Sequence, residues 1–350
     1  MPEHSEIKPD NALLRPQRCL ILQPGAIGDC ILTLLLAKFL KDSLNLSEIR
    51  IVGHSEYLSI FPGRTCVDKI TSIESVDLHR LFADKNAFQL EDKDPLIRFF
   101  EDYDWIITFL GEPGSDFEQN LIFTVFSSHS AEIITLDLKP PEAFQAHLSD
   151  FYIQQLTSQS SLITKDLQIR SDDSLIKATK TDISEGKKLL KYLNINPSQK
   201  LVVIHPGSGS PRKCWHLDNF LAVAEKLIAK GAEVIFLLGP AEMEKFSKTA
   251  IKNIHKTAKC LTNLSLTDVL RILSCAEVFI GNDSGITHLS AGLGIRTIAV
   301  FGLSNCIVYR PVGPNVTVLK SDSAAFFKKP LLHLQKQIFN ILTGQSRYKQ

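Results

Sequence analysis

The residues best suited to chemistry in this sequence cluster in Gly281-Asn282-Asp283-Ser284-Gly285-Ile286-Thr287-His288, directly after the apolar run Val278-Phe279-Ile280. Asp283 supplies an acceptor, Ser284 a hydroxyl and His288 a further donor, while Gly281 and Gly285 let a ligand approach the backbone. Thr287 to Leu293 then reads as the start of a small-residue helix. Its N-terminus would turn backbone N–H groups and a positive dipole end on the loop, which suits an anion such as a phosphate. The same residues also suit a merely capped strand-to-helix turn, so this stretch does not decide between the two on its own.

A second loop, His205-Pro206-Gly207-Ser208-Gly209-Ser210-Pro211-Arg212-Lys213-Cys214-Trp215, follows the strand signal Lys200 to Ile204. Ser208, Gly209 and Ser210 could lay N–H and O–H donors around a diphosphate, with Lys213 or Arg212 as a point charge. A linker would have a similar composition, but a helix signal from Leu217 to Lys230, stopped by Gly231, follows at once. The third loop, Pro24 to Asp29, breaks the short apolar run Arg18 to Gln23 and precedes an apolar helical face from Cys30 to Lys41. Asp29 stands at or near that helix start. There an acid either stabilises the dipole by about 0.5 kcal/mol or turns its carboxylate to a cleft. The glycines of this loop are not spaced as G-x-G-x-x-G, which sets aside a dinucleotide cofactor.

The elements that must position these loops alternate along the chain. Strand signals at Ile49 to Val52, Lys69-Ile70, Trp105 to Leu110 and Glu132 to Leu136 are separated by helical, more polar segments. After a polar, weakly periodic stretch from Leu148 to Asn196, where the domain crossover is expected between Ser158 and Lys180, the alternation resumes. Strands at Lys200 to Ile204, Glu233 to Leu238, Val278 to Ile280 and Arg296 to Gly302 follow, and then a terminal helix from Phe326 to Leu342. This pattern predicts two doubly wound α/β domains with parallel sheets, whose ligands bind at the carboxyl ends of the strands. Every phosphate-type loop lies after Leu201, so a donor site wholly within the second domain is expected.

Composition narrows the function classes. At 350 residues, 44% apolar and a net charge of +1, the chain has the balance of a soluble globular protein with no demand for nucleic acid. The seven cysteines are scattered without a C-x-x-C pair, which reads as free thiols in a reducing compartment. Residues 1–18 lack the apolar centre of a signal peptide, and the run Ile31 to Leu36 is too short to span a bilayer. Asp102-Tyr103-Asp104 spells a metal-binding D-x-D, but it stands before its strand in an acidic run and reads as a solvated turn.

Taken together and in order, the loops at Gly28-Asp29, His205 to Trp215 and Gly281 to His288 resemble glycosyltransferase family 9, which contains the ADP-heptose:lipopolysaccharide heptosyltransferases. The resemblance runs from Lys200 to Val312, includes the Phe301-Gly302 strand end, and extends to Leu20 to Lys41. It implies a GT-B fold of two facing Rossmann-like doubly wound domains. Residues 18–170 would form the acceptor domain and 171–325 the nucleotide-sugar domain, between a polar tail at 1–17 and a C-terminal helix and tail at 326–350. It implies inverting, metal-independent transfer, with no cofactor beyond the substrate nucleotide-sugar, ADP-heptose as first guess. The acceptor would be a lipopolysaccharide-type or other glycan or glycolipid, and the location the cytoplasm, with peripheral contact at the inner face of the cytoplasmic membrane.

Carried onto this sequence, the resemblance makes Asp29 the catalytic base. It puts Ser208, Gly209 and Ser210 on the donor phosphates, Lys213 beside the diphosphate and sugar, and Glu242 on the donor ribose. Asp283 would contact the transferred sugar, and Ser284, Gly285 and His288 the phosphates. Asp29 and the phosphate loops would meet when the domains close. A GT-B-like nucleotide-sugar epimerase or hydrolase, and a nucleotide-sugar-binding module that has lost transfer, are the competing readings.

Overall fold

The computed structural model describes residues 16–163, 174–196 and 198–343. The expected boundary between 170 and 171 and most of both tails lie outside these residues. In the first half β1 (Arg18–Leu22), α1 (Ile27–Leu44), β2 (Glu48–Gly53), α2 (Ser55–Leu58), β3 (Lys69–Ser72), α3 (Pro95–Phe100), β4 (Trp105–Thr108), α4 (Asp116–Phe126), β5 (Glu132–Thr135) and α5 (Leu148–Gln159) follow one another. The second half runs α6 (Lys180–Tyr192), β6 (Leu201–His205), α7 (Leu217–Ile228), β7 (Glu233–Leu238), α8 (Pro240–Lys245), α9 (Lys248–Thr257), β8 (Lys259–Thr262) and α10 (Leu266–Leu273). It continues with β9 (Val278–Asn282), α11 (Gly285–Gly292), β10 (Arg296–Phe301), α12 (Cys306–Tyr309), β11 (Val316–Lys320) and α13 (Leu332–Thr343).

Each half forms one parallel sheet, ordered β3-β2-β1-β4-β5 and β8-β7-β6-β9-β10-β11. Winding reverses beside the first strand of each, so crevices open at the carboxyl ends between β1 and β4 and between β6 and β9. The central strands β6 and β9 are buried along their whole length, as strands covered by helices on both faces must be. Two doubly wound domains are thus present, as the alternation predicted.

The apolar run within α1 has its explanation here. Every residue from Cys30 to Ala37 is buried, as are Phe39 and Leu40. The helix packs against α5 on its own side and against α11 of the other half, so it is apolar on nearly all faces because it is sandwiched between layers. The two halves are also tied elsewhere. The Arg64 guanidinium makes paired bonds of 2.8 and 2.7 Å to buried Asp182 at the start of α6. A backbone bond joins Lys177 N–H to the Arg64 carbonyl at 2.8 Å.

Several elements differ from the sequence reading. The first helix begins at Ile27 rather than Cys30. The polar stretch from Leu148 to Asn196 holds two helices, α5 and α6, and Arg296–Phe301 is not the last strand, since β11 pairs beside it. The terminal helix starts at Leu332, not Phe326. Phe326 is instead fully buried in the second core, where a methyl on Gly302 would meet its ring, so residues 326–331 belong to that domain.

Candidate active site

β6 and β9 are neighbours, with His205 opposite Gly281, so the loops leaving their carboxyl ends meet. Buried Asn282 stitches them together. Its amide donates to the Pro206 carbonyl at 2.7 Å, and its oxygen accepts the Trp215 N–H at 2.8 Å. The Ser208 hydroxyl adds a bond to the Asp283 carbonyl at 2.6 Å. Trp215 is buried, its ring edge-on to Phe220 at 5.1 Å, which makes it packing.

This bracing aims Lys213, whose ammonium reaches the Asp283 carboxylate at 2.7 Å and lies 5.9 Å from the centre of the Tyr309 ring. In the first turn of α11, His288 Nε2 comes within 3.9 Å of the other Asp283 oxygen. Burial works against the Asp283 charge, but His288 and Lys213 outweigh it and hold the carboxyl at about 2. Among the described residues the buried Nδ1 of His288 has no hydrogen-bond partner.

The N-terminus of α11, capped by Ser284, is met by the N-terminus of α1. A methyl on Gly285 would stand 2.7 Å from Ile27 Cβ, and one on Gly28 would stand 3.5 Å from His288 Cδ2. Two helix starts therefore converge, each with orphan N–H groups and a positive dipole end. Asp29, the third residue of α1, accepts the Ala26 N–H at 3.1 Å. Its charge acts across the junction. Burial raises the Tyr309 phenol, Lys213 lowers it, and Asp29 and Asp283 raise it further. Cys30 beside it is no nucleophile, because burial and the Asp29 charge push its thiol up to about 12.

A cleft of about 550 Å³ opens beside Ser284 and Gly285, within the size range of small-molecule sites. Leu237, Leu261 and Val269 give it an apolar floor, while Gly28, Glu56 and Tyr57 face them from the first half. Glu242, in the first turn of α8, borders it too. Its carboxylate accepts the Gly239 N–H at 2.8 Å and lies 3.6 Å from His205 Nε2. Burial opposes that charge, yet the neighbouring His205 holds the carboxyl below its usual range.

The residues singled out in the sequence are largely brought together. Ser208, Gly209, Glu242, Ser284 and Gly285 border the cleft, while Lys213, Asp283 and His288 cluster together and Asp29 follows Gly28, which stands beside His288. Ser210 does not border the cleft, and its carbonyl accepts the Lys213 N–H at 3.0 Å, so its backbone shapes the turn that carries Lys213. Ser208 donates its proton to the Asp283 carbonyl and acts as a brace. The cleft is lined by both halves, since Gly28, Glu56 and Tyr57 belong to the first. Nor do Asp29 and the phosphate-type loops await closure, because α1 and α11 already touch. Asp102 and Asp104 lie at the amino-terminal end of the first sheet, opposite the carboxyl ends where the crevice opens, and the Arg18 N–H donates to Asp104 there at 2.9 Å.

Sequence reasoning gave no role to Asn282, His205, Tyr309 or Tyr57. Asn282 and His205 end buried strands, where a polar side chain must find a partner or a ligand, and that position is the signal that could have found them. Tyr309 and Tyr57 carried no local signal, since only the meeting of the two halves gives them a site.

Residues 145–333 match the family model for glycosyltransferase family 9 (heptosyltransferase). Lipopolysaccharide heptosyltransferase 3 of Escherichia coli is 28% identical over 150 residues, 41% of this chain and 44% of that protein. Lipooligosaccharide heptosyltransferase 2 of Campylobacter jejuni is 28% identical over 191 residues, 52% of this chain and 57% of that protein. The chain thus spans about half the length of these relatives. The solved structure of the E. coli ADP-heptose lipopolysaccharide heptosyltransferase II superposes with a TM-score of 0.68 at 13% identity, covering 94% of this chain and 99% of that one. That likeness speaks for the fold, a GT-B pair of facing domains.

Proposed function

The chain belongs to glycosyltransferase family 9, and from that premise we propose that it transfers a sugar, heptose as first choice, from a nucleotide-diphosphate sugar to a glycan. The donor is ADP-heptose and the acceptor a lipopolysaccharide-type or other cell-surface glycan. Transfer inverts the anomeric centre and needs no metal ion. The observation that carries this reading is the convergence of the α1 and α11 N-termini, with Asp29 on the first and the Lys213–Asp283–His288 cluster beside the second.

The geometry supports the following roles. The nucleoside lies in the apolar cleft with its ribose toward Glu242, and the diphosphate points at Ser284 and Gly285. Charge growing on the leaving diphosphate is met by the orphan N–H groups of both helices and by Lys213, fixed donors that need no reorganisation during the reaction. Asp29 takes the proton of the attacking hydroxyl from the other half, on the face away from the leaving group. Asp283, held ionised, accepts from sugar hydroxyls once Lys213 turns toward phosphate. Metal independence is supported by this supply of positive potential and by the remote position of Asp102 and Asp104. A glycolipid acceptor would bring the first half to the inner face of the cytoplasmic membrane as a peripheral protein, and among the described residues no helix is long and apolar enough to cross it.

The test is transfer from ADP-heptose to a heptose-deficient lipopolysaccharide core in excess chelator, read by mass spectrometry. Addition of one heptosyl unit at a rate within a few-fold of the untreated enzyme is expected. Donor turnover with the core unchanged would favour an epimerase or hydrolase. Activity that collapses in chelator and returns with magnesium or manganese would end the metal-free mechanism.

A further inference from the structure

We infer that His147 of the first half is a positioning residue for transfer: by holding the turn that carries Tyr309, it keeps the Tyr309 ring beside the ammonium of Lys213. The inference rests on the proposed role of Lys213 at the donor diphosphate.

His147 is buried and caps the N-terminus of α5. Its two ring nitrogens serve different halves of the molecule. Nδ1 accepts the Ser149 N–H at 3.2 Å and lies 2.8 Å from the Ser149 hydroxyl, which closes the helix start. An acceptor Nδ1 leaves the ring proton on Nε2, and Nε2 donates it to the Arg310 carbonyl of the second half at 3.0 Å. Burial lowers the His147 pKa and so favours this neutral ring. Capping α5 needs Nδ1 alone, so the cap does not account for the bond to Arg310. Tyr309 precedes Arg310 at the end of α12, half-buried against the core that also holds Phe151 and Tyr152 of α5. Its ring centre lies 5.9 Å from the Lys213 ammonium. The Lys213 side chain is 40% exposed, and its ionic partner is Asp283 at 2.7 Å. For Lys213 to meet a diphosphate that pair must open, and the ammonium then needs a second contact to stay over the crevice. An aromatic face supplies one and reduces the side-chain freedom lost on binding. Because α5 also packs against α1, one helix of the first half aligns the Asp29 helix with the Tyr309 turn.

The test separates the cap from the bond to Arg310. Asparagine places an oxygen near the position of Nδ1, and glutamine an amide N–H near that of Nε2. His147→Asn therefore keeps the cap and removes the bond between the halves, while His147→Gln does the reverse. Titration calorimetry with ADP as the probe reads the outcome. His147→Asn should melt close to the parent yet bind ADP about 3- to 30-fold more weakly, the span of one cation–π contact. His147→Gln should recover most of that affinity. Tyr309→Leu should lose affinity as His147→Asn does, and Tyr309→Phe, which keeps the ring, should restore it. This second pair keeps the inference testable if His147→Asn fails to fold. Combined with Lys213→Ala, neither His147→Asn nor Tyr309→Leu should weaken ADP by more than about a further twofold, because the group they position is gone. Parent-like ADP affinity in His147→Asn and Tyr309→Leu would overturn the inference and leave the cleft intact. Losses that persist in full beside Lys213→Ala would overturn it too, since they would mark a general effect on the fold. A parent protein that does not bind ADP would overturn it together with the reading of the cleft on which it rests.

Discussion

At the scale of single residues, the proposed base and the charges proposed for the donor stand on different halves, Asp29 on α1 and Lys213 with Asp283 beside α11. Asp29 is the only carboxylate proposed to act on the acceptor, and its one backbone contact is the Ala26 N–H at 3.1 Å. Asp29→Asn keeps an oxygen for that bond, so stability should change by no more than about 1 kcal/mol. Transfer should fall by about 10²–10⁴-fold with donor affinity unchanged, because the base alone is lost. Lys213→Ala should behave differently. It removes the charge proposed for the diphosphate and leaves Asp283 with His288 as its remaining partner, so both donor affinity and turnover should drop. Steady-state kinetics beside calorimetry distinguishes the two variants, and transfer within about threefold of the parent in Asp29→Asn would reduce Asp29 to a helix-start acid. At this scale the sequence was informative wherever chemistry and loop spacing coincide, as at Lys213, Asp283 and His288. It was silent on which hydroxyls are free. Ser208 and Ser210 look alike as phosphate ligands in one dimension, yet the Ser208 hydroxyl is committed to the Asp283 carbonyl, whereas Ser210 takes part through its backbone carbonyl.

Elements are held in place by the contact of α1 with α11, and that contact depends on glycine at one position more than at its neighbour. A methyl on Gly285 would fall 2.7 Å from Ile27 Cβ and 3.2 Å from the Gly28 backbone nitrogen, too close without moving a helix. The same change at Gly28 meets nothing nearer than 3.5 Å. Gly285→Ala should therefore cost about 1–3 kcal/mol and lower transfer, by the logic of overpacking. Gly28→Ala, early in α1, should be neutral or stabilising by up to about 1 kcal/mol. Equal melting temperatures for the two variants would contradict this account of the junction. Helix and strand signals were clear for α1, α7, β6, β7 and β9, where apolar runs are long and bounded by Gly or Pro. They failed for β8 and β11. Those strands are short and lie at the edges of the second sheet, partly exposed, so their sequences Lys-Cys-Leu-Thr and Val-Thr-Val-Leu-Lys carry little alternation. α5 and α6 were hidden for a related reason, being mostly polar helices that bury only a narrow stripe.

For the molecule as a whole, the two halves are joined by more than a linker, and an ion pair far from the chemistry carries part of that union. Arg64 of the first half grips Asp182 of the second through two bonds of 2.8 and 2.7 Å, and the Asp182 side chain is only 1% exposed. The Arg64 guanidinium, outweighing the effect of burial, holds the Asp182 carboxyl far below its usual range, aided by the Thr179 N–H and hydroxyl. Removing the arginine leaves a buried charge short of its main partner, a change that costs about 3–5 kcal/mol in comparable pairs. Arg64→Ala should lose stability of that order at pH 7, with Arg271 at 3.9 Å offering partial relief. The pH dependence gives the claim its sign. A carboxyl depressed in the folded state contributes stability above its unfolded value near 4, and loses it as pH falls toward the folded value. The gap between parent and Arg64→Ala should therefore be full at pH 5 to 7 and shrink steadily below about pH 4, as Asp182 takes up a proton and needs its partner less. Urea unfolding at pH 7, 5 and 3 would measure it. A gap that stayed constant down to pH 3 would mean that Arg64 contributes by packing and not by charge, and the clamp between the halves would then have to be sought in the apolar contact of α1 with α11.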